Sequence, residues 1–481
     1  MTLTPTHLLA LTPVIIVSIT AIVVMLGIAW RRHHLASATV TALGLNLALV
    51  SLLIPVGMGN LDTPLLSIDG ISVFASVLIL ISALACSTMA HAYLGGYSGP
   101  KEEFYLLLLI GTAGAMVLVS SRHLASLFFG LEMLSMPLYG MLAYSFQERR
   151  SLESGIKYLV LSAAGTAFLL FGMALLYAQT GHLDFPGLTS GAGQVSGVPG
   201  LVGVVMMLVG LGFKLSIVPF HLWTPDVYEG GPGPANIFLA SVSKLAVFVV
   251  LLRLIQQAPA FREEWVRDLL LVLALATMLA GNLLALQQPN LKRLLGYSSI
   301  AHFGYLMVVL VVGNQLAMET SGVYLVTYLV ATLAAFGVVT LVSSPWGGED
   351  AAGLHHYRGL FWRRPWLAAV LTVSMLSLAG IPFTAGFIGK FYILALAVDS
   401  AQWWLMGGII LGSAIGLFYY LRVMVTLYLV EPGMRRRDAT NDWAVQAGGL
   451  VVTGLAILVI VLGLYPAPMI EWTVQLMTIP R

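Results

Sequence analysis

Of the 23 basic residues in the chain, only six are lysines, and three of those fall inside long apolar stretches. The interior three are Lys214, Lys244 and Lys390. Lys157 and Lys292 lie near the ends of similar stretches, and Lys101 lies between two of them. The arginines, by contrast, dominate the short polar connections. The chemistry of the two side chains gives this partition a meaning. Burial lowers the pKa of a lysine toward neutrality, whereas an arginine stays charged. A chain that must take up and release protons inside an apolar medium would therefore use lysine there. The plainer account is snorkelling, in which a lysine near a helix end reaches the headgroups. It suits Lys157 and Lys292 far better than the interior three.

Glu132, in Leu127-Phe-Phe-Gly-Leu-Glu132-Met-Leu-Ser135, is the one carboxylate in the middle of an apolar stretch. Such a group costs several kcal/mol unless it is paired or hydrated. Lys214 lies at similar depth in a neighbouring stretch, so the sequence predicts a Glu132–Lys214 ion pair, either structural or able to open and release a proton. Two stretches look interrupted. Pro219 follows Lys214 in Lys214-Leu-Ser-Ile-Val-Pro219-Phe-His221, and Pro382 precedes Lys390 in Leu378-Ala-Gly-Ile-Pro382-Phe-Thr-Ala-Gly-Phe-Ile-Gly-Lys390. Proline removes a backbone donor and clashes with the preceding turn, which frees carbonyls at membrane depth. Paired interrupted spans in two halves of a chain are a mark of inverted-repeat ion transporters. His221 and His302 are the intramembrane histidines able to relay a proton near neutral pH; each could equally be a packing residue. Asp226, Tyr228 and Glu229 are expected to cap or anchor a helix end, and Trp223, Trp403 and Trp404 to sit in an interfacial belt.

These residues must be held by membrane helices. The 481 residues are 59% apolar and 9% charged, against about 25% charged in soluble domains. A helix needs ~20 apolar residues to cross the hydrocarbon. Read in that unit, spans fall near 8–30, 36–58, 71–94, 104–120, 123–144, 154–180, 200–227, 234–257, 268–288, 293–313, 320–343, 366–397, 403–430 and 444–466. The expected fold is an all-α integral membrane protein of about fourteen transmembrane helices, with two inverted five-helix repeats that each contain a broken helix. Alternate connections carry Arg31/Arg32, Lys101, Arg149/Arg150, Lys292/Arg293, Arg358/Arg363/Arg364 and Arg435/Arg436/Arg437, against only Arg122, Arg262, Arg267 and Arg481 opposite. That bias places the first group in the cytoplasm and both termini outside. A net charge of +2 offers no basic face for nucleic acid. The single cysteine, Cys86, and the lack of Cys/His ligand spacing argue against a disulfide framework, haem, iron–sulfur or structural zinc.

The segment Lys214-Leu-Ser-Ile-Val-Pro-Phe-His-Leu-Trp-Thr-Pro-Asp-Val-Tyr-Glu-Gly resembles the seventh helix of the antiporter-like subunits of bacterial respiratory complex I, NADH–quinone oxidoreductase. Ser241-Val-Ser-Lys244, Asn290-Leu-Lys-Arg-Leu-Leu-Gly-Tyr-Ser-Ser-Ile-Ala-His302 and Leu378-Ala-Gly-Ile-Pro-Phe extend the resemblance over nearly the whole chain. Lysine at 244, where relatives tend to carry histidine, and no long amphipathic extension after 466 single out one branch of the family. The layout of the spans divides the chain into a three-helix segment (1–103), two five-helix repeats (104–257 and 258–430) and a C-terminal helix (431–481). The resemblance implies that Glu132 and Lys214 gate a proton path, that Lys244 is its central relay and that Lys390 lies near the outward exit. Lys157, His221, Lys292 and His302 would be accessory. No cofactor is expected in this chain; NADH, FMN, iron–sulfur clusters and quinone would belong to partner subunits. The implied partners are other complex I membrane subunits, the lipid bilayer and protons, and the implied location is the bacterial inner membrane with both termini periplasmic. Two alternatives stay open: a cation/proton antiporter subunit, and a structural spacer of the membrane arm.

Overall fold

Inside hydrocarbon every backbone N–H and C=O must be satisfied within the chain, so apolar spans of this length fold as helices. The computed structural model describes residues 4–97, 99–188, 197–343, 350–430 and 447–477. Arg435, Arg436, Arg437 and Arg481 of the charge bias lie outside the described residues. Among the described residues, twelve helices are long and apolar enough to cross a bilayer. The 17-residue Glu103–Val119 and the pair Pro365–Ala379 and Ala385–Asp399 complete the fourteen expected spans. A two-stranded antiparallel pair, Leu61–Asp62 with Ser67–Ile68, stands in the connection before the Gly70–Gly95 helix.

Two units of five spans follow that helix, from Glu103 to Gln257 and from Glu264 to Tyr428. Each opens with a tightly packed hairpin, Glu103–Val119 against Leu124–Leu142 and Glu264–Leu286 against Leu291–Val312. Five crossings are an odd number, so the second unit runs in the opposite sense to the first. Burial sorts the helices. Thr12–Trp30 and Ala447–Leu464 turn much of their apolar surface outward, as lipid-facing helices must, whereas the apolar window of Gly233–Gln257 is wholly buried and Leu291–Val312 and Gln315–Val342 nearly so. The helices that carry Lys244 and His302 are therefore the core.

The fourth span of each unit is broken where the prolines demand it. Val198–Leu215 stops at Ser216, which adopts the left-handed conformation (φ 63°), and the chain becomes helical again at Trp223–Gly230. The freed Phe213 carbonyl accepts from Trp223 Nε1 at 3.1 Å, and the Val218 N–H donates to Thr277 Oγ1 at 3.1 Å. Pro365–Ala379 ends at Gly380 (φ 81°), and Ala385–Asp399 follows. Phe383 within that second break also has positive φ, 70°. A non-glycine residue held left-handed in each break is a local strain that the packing must offset.

The bond that Trp223 makes corrects its assignment to the interfacial belt. It is buried, stacks on Phe213 and bonds the broken helix, while Trp403 and Trp404 are exposed as expected. The 154–180 span also starts earlier, at Arg149, as a 32-residue helix. At ~1.5 Å per residue that helix outruns a hydrocarbon core of ~30 Å, and the Lys157 side chain, in its third turn, is 40% exposed.

Candidate functional site

Lys214 occupies the last turn of Val198–Leu215 and is buried. Its Nζ donates to Ser135 Oγ and Ser162 Oγ, both at 2.6 Å. Half-buried Glu132 instead accepts from Thr166 Oγ1 at 2.9 Å. Among the described residues no Glu132–Lys214 ion pair forms within 4.0 Å, which corrects the expected direct contact. Helical spacing is the reason. Ser135 stands one turn after Glu132 on the same face, and Ser162 one turn before Thr166 on the facing helix. The hydroxyls thus stand between the two charges, and Tyr139 OH bonds Ser162 Oγ at 2.7 Å to extend them. A hydroxyl donates and accepts at once, so this bridge can pass a proton as well as hold one.

Lys244 is fully buried and follows a π-helical turn, Leu239–Ser243. Such turns occur often at functional sites, and this one was not legible in the sequence. The Lys244 Nζ bonds no described protein group; the Phe303 and Tyr228 rings face it at 5.3 and 5.8 Å. The π turn also presents the Ala240 carbonyl to Tyr328 OH at 3.3 Å, and Tyr328 OH bonds Ser299 Oγ at 2.7 Å. From there the polar groups continue to His302. Its Nδ1 meets Tyr324 OH at 2.6 Å and its Nε2 meets Tyr420 OH at 3.2 Å, and Tyr420 in turn bonds Ser298. His302 is therefore built into a tyrosine cluster through both ring nitrogens.

Lys390 closes the row. Its Nζ donates to the Ala379 carbonyl at 2.8 Å, the group that the second helix break exposes. The ring of Tyr305 lies 5.6 Å from the same nitrogen and edge-on to His302. A cavity of about 10 Å³ beside His302, Tyr324, Ser377 and Gly386 links the break to the tyrosine cluster; that is near the ~10–15 Å³ one water requires. Each interior lysine has a tyrosine ring over its amine: Tyr158 for Lys214, Tyr228 for Lys244 and Tyr305 for Lys390. Sequence reasoning missed Tyr158 and Tyr305 because they come from other helices at no fixed spacing, and it gave Tyr228 an anchoring role at a helix end, whereas that ring is fully buried against Lys244.

The accessory residues divide. Lys157 is on the rim, bonded to Glu153 at 2.7 Å and Asp226 at 3.1 Å. Arg293 reaches Asp226 at 2.6 Å and Glu229 at 2.9 Å. Asp226 and Glu229 thus tie the half-helix after the first break to Leu291–Val312, beyond the expected local anchoring. Lys292 is buried and has a carboxylate that sequence reasoning missed, Asp350 at 2.8 Å, which also accepts from Tyr93 OH at 2.8 Å. His221 is buried in the first break, beside the Pro219 backbone. Two arginines also lie inside spans. Arg253 is fully buried, bonded to both Asp69 carboxylate oxygens and to the Val119 carbonyl, and Arg422 donates to the Leu286 and Gln288 carbonyls. Both guanidinium groups are held in place by several bonds, unlike the amine of Lys244.

Two inverted five-helix units, each with a broken helix beside a lysine, buried in the first and half-buried in the second, define an antiporter-like membrane subunit. A family described as NADH:quinone oxidoreductase/Mrp antiporter, TM matches residues 121–416, and the chain belongs to that family. It is 67% identical to NADH-quinone oxidoreductase subunit N of Chromohalobacter salexigens, over 97% of this chain and 98% of that one. A chain of respiratory complex I from Thermus thermophilus with bound aureothin has the same fold at TM-score 0.81 and 34% identity, covering 95% of this chain and 98% of that chain. A chain of the Mrp complex from a Dietzia species shares the fold at TM-score 0.85 and 19% identity, covering 98% of this chain and 97% of that chain.

Proposed function

We propose that this chain is the proton-translocating membrane subunit of an NADH–quinone oxidoreductase, and that its protons travel along Lys214, Lys244, His302 and Lys390. The observation that carries the reading is the alternation of interior lysines with hydroxyl groups across both units, from the Ser135–Ser162 bridge through the Tyr328–His302–Tyr324 cluster to the second break. Glu132 acts as the gate. With its carboxylate on Thr166 and the lysine on the serines, the pair is parted; a movement that brings them together changes the charge that Lys214 presents. NADH oxidation and quinone reduction belong to partner subunits, with their FMN and iron–sulfur clusters, and charge movement from those subunits drives the gate. The charge bias orients the path from the cytoplasm at Lys214 to the outside at Lys390.

Lys214→Ala tests this in the purified complex reconstituted in vesicles. Proton uptake on NADH addition is expected to fall by roughly 100-fold with subunit content unchanged. Full pumping by an assembled Lys214→Ala complex would sink the proposal, and uptake driven by a sodium gradient without NADH would favour an antiporter. The second break gives another prediction. A Cβ on Gly380 would lie 2.6 Å from Lys390 Cδ, at a backbone φ of 81°. Gly380→Ala should cost about 1–2 kcal/mol, push Lys390 off the Ala379 carbonyl and slow pumping severalfold. Gly27→Ala, where a Cβ meets nothing, is the matched control.

A further inference from the structure

Three arginines among the described residues lie on the side that the charge bias assigns to the outside, and two of them share a cavity. The third, Arg122, is paired with Asp62 at 2.7 Å. Arg262 and Arg267 reach no described carboxylate within 4.0 Å. Each uses its Nε–H on a carbonyl near a helix end, Arg262 on Ile255 at 3.1 Å and Arg267 on Val311 at 3.2 Å. These bonds pin the inner edge of each guanidinium and leave the outer nitrogens without a bond to any described residue. Between them is a cavity of about 510 Å³, within the ~300–1,000 Å³ range of small-ligand sites. Its remaining wall is largely apolar, with Phe261, Leu310, Val312, Met318 and Met477. No lysine of the proton path lines it.

The cavity lies where Gly233–Gln257 and Leu291–Val312 end and Glu264–Leu286 and Gln315–Val342 begin, at one end of four candidate spans. We propose that it holds one anionic phospholipid, its phosphate between Arg262 and Arg267 and its glycerol and first acyl carbons against the apolar wall. Two planar guanidinium groups match phosphate oxygens in charge and in fork geometry. The apolar half of the lining suits a ligand with a hydrocarbon portion and offers nothing to a small hydrated anion. An anion here also removes the repulsion between two cations that no described carboxylate pairs, on the side where cations are scarce.

The test is native mass spectrometry of the whole purified complex, titrated with phosphatidylglycerol, phosphatidylcholine or inorganic phosphate. Wild type is expected to retain one more tightly held phosphatidylglycerol than the Arg262→Gln/Arg267→Gln variant, whose affinity at that site falls at least tenfold. Phosphatidylcholine and phosphate are expected to leave the site empty. Equal retention of phosphatidylglycerol by the two proteins overturns the proposal, as does equal binding of phosphatidylcholine or filling by phosphate alone. If the double variant fails to assemble, Arg267→Lys replaces it: weakened retention supports the site, and unchanged retention overturns it.

Discussion

Lys244→Met is expected to lower proton translocation by roughly 100-fold in a complex that assembles as well as wild type. The two halves of this expectation rest on one observation. The Lys244 amine is fully buried and bonds no described protein group, so its removal orphans neither a donor nor an acceptor. Methionine fills a similar volume, and volume-conserving changes in a packed core usually cost less than ~1.5 kcal/mol. The Phe303 and Tyr228 rings that face the amine pack equally well against a thioether. What is lost is the one titratable group between the Ser135–Ser162 bridge and the Tyr328–His302 cluster on that helix. Vesicles holding the variant complex, followed with a pH-sensitive dye after NADH addition, give the readout. NADH oxidation by a soluble artificial acceptor shows that the redox partners are intact. Undiminished pumping in such vesicles rules out Lys244 as a relay.

Asp69→Ala should have the opposite profile, with a large loss of stability and no selective loss of pumping in whatever assembles. Arg253 is completely buried, and Asp69 bonds its guanidinium through both carboxylate oxygens. Removing one partner of a buried pair costs about 3–5 kcal/mol, because the other charge stays buried and unpaired. Asp69 also caps the Gly70–Gly95 helix by accepting from Ser72 N at 2.9 Å, and loss of a cap adds roughly 1 kcal/mol. Thermal denaturation and the yield of assembled complex measure the effect. The paired change Asp69→Ser with Arg253→Leu keeps a capping oxygen and removes both charges, so it should recover most of the loss. Failure of that rescue would show that the guanidinium has a role beyond pairing.

Much of this could be read before any coordinate was known. Interior lysines, with arginines mostly in the connections and Arg253 and Arg422 as exceptions, mark a proton-handling chain, because a buried lysine, unlike an arginine, exchanges its proton readily. Pro219 and Pro382 mark the breaks, because a ring without an N–H removes a helical bond; Pro137, inside the continuous helix Leu124–Leu142, shows that proline alone does not stop a span. Those are local consequences of residue type, and the described structure repeats them with Lys390 on the very carbonyl that the second break frees. Glu132 shows the limit of such reasoning. Its depth was legible, and its partner was not, since Ser135, Ser162 and Thr166 acquire their positions only when two helices pack face to face.

The same holds for Asp350 on Lys292, Asp69 on Arg253 and the tyrosines over the three amines. The sequence by itself determined which groups enter the membrane and where helices must stop, because desolvation and backbone hydrogen bonding act on each residue where it stands. Which groups meet was decided by tertiary structure alone, because a hydrogen bond a few ångströms long between distant segments depends on how every intervening helix packs.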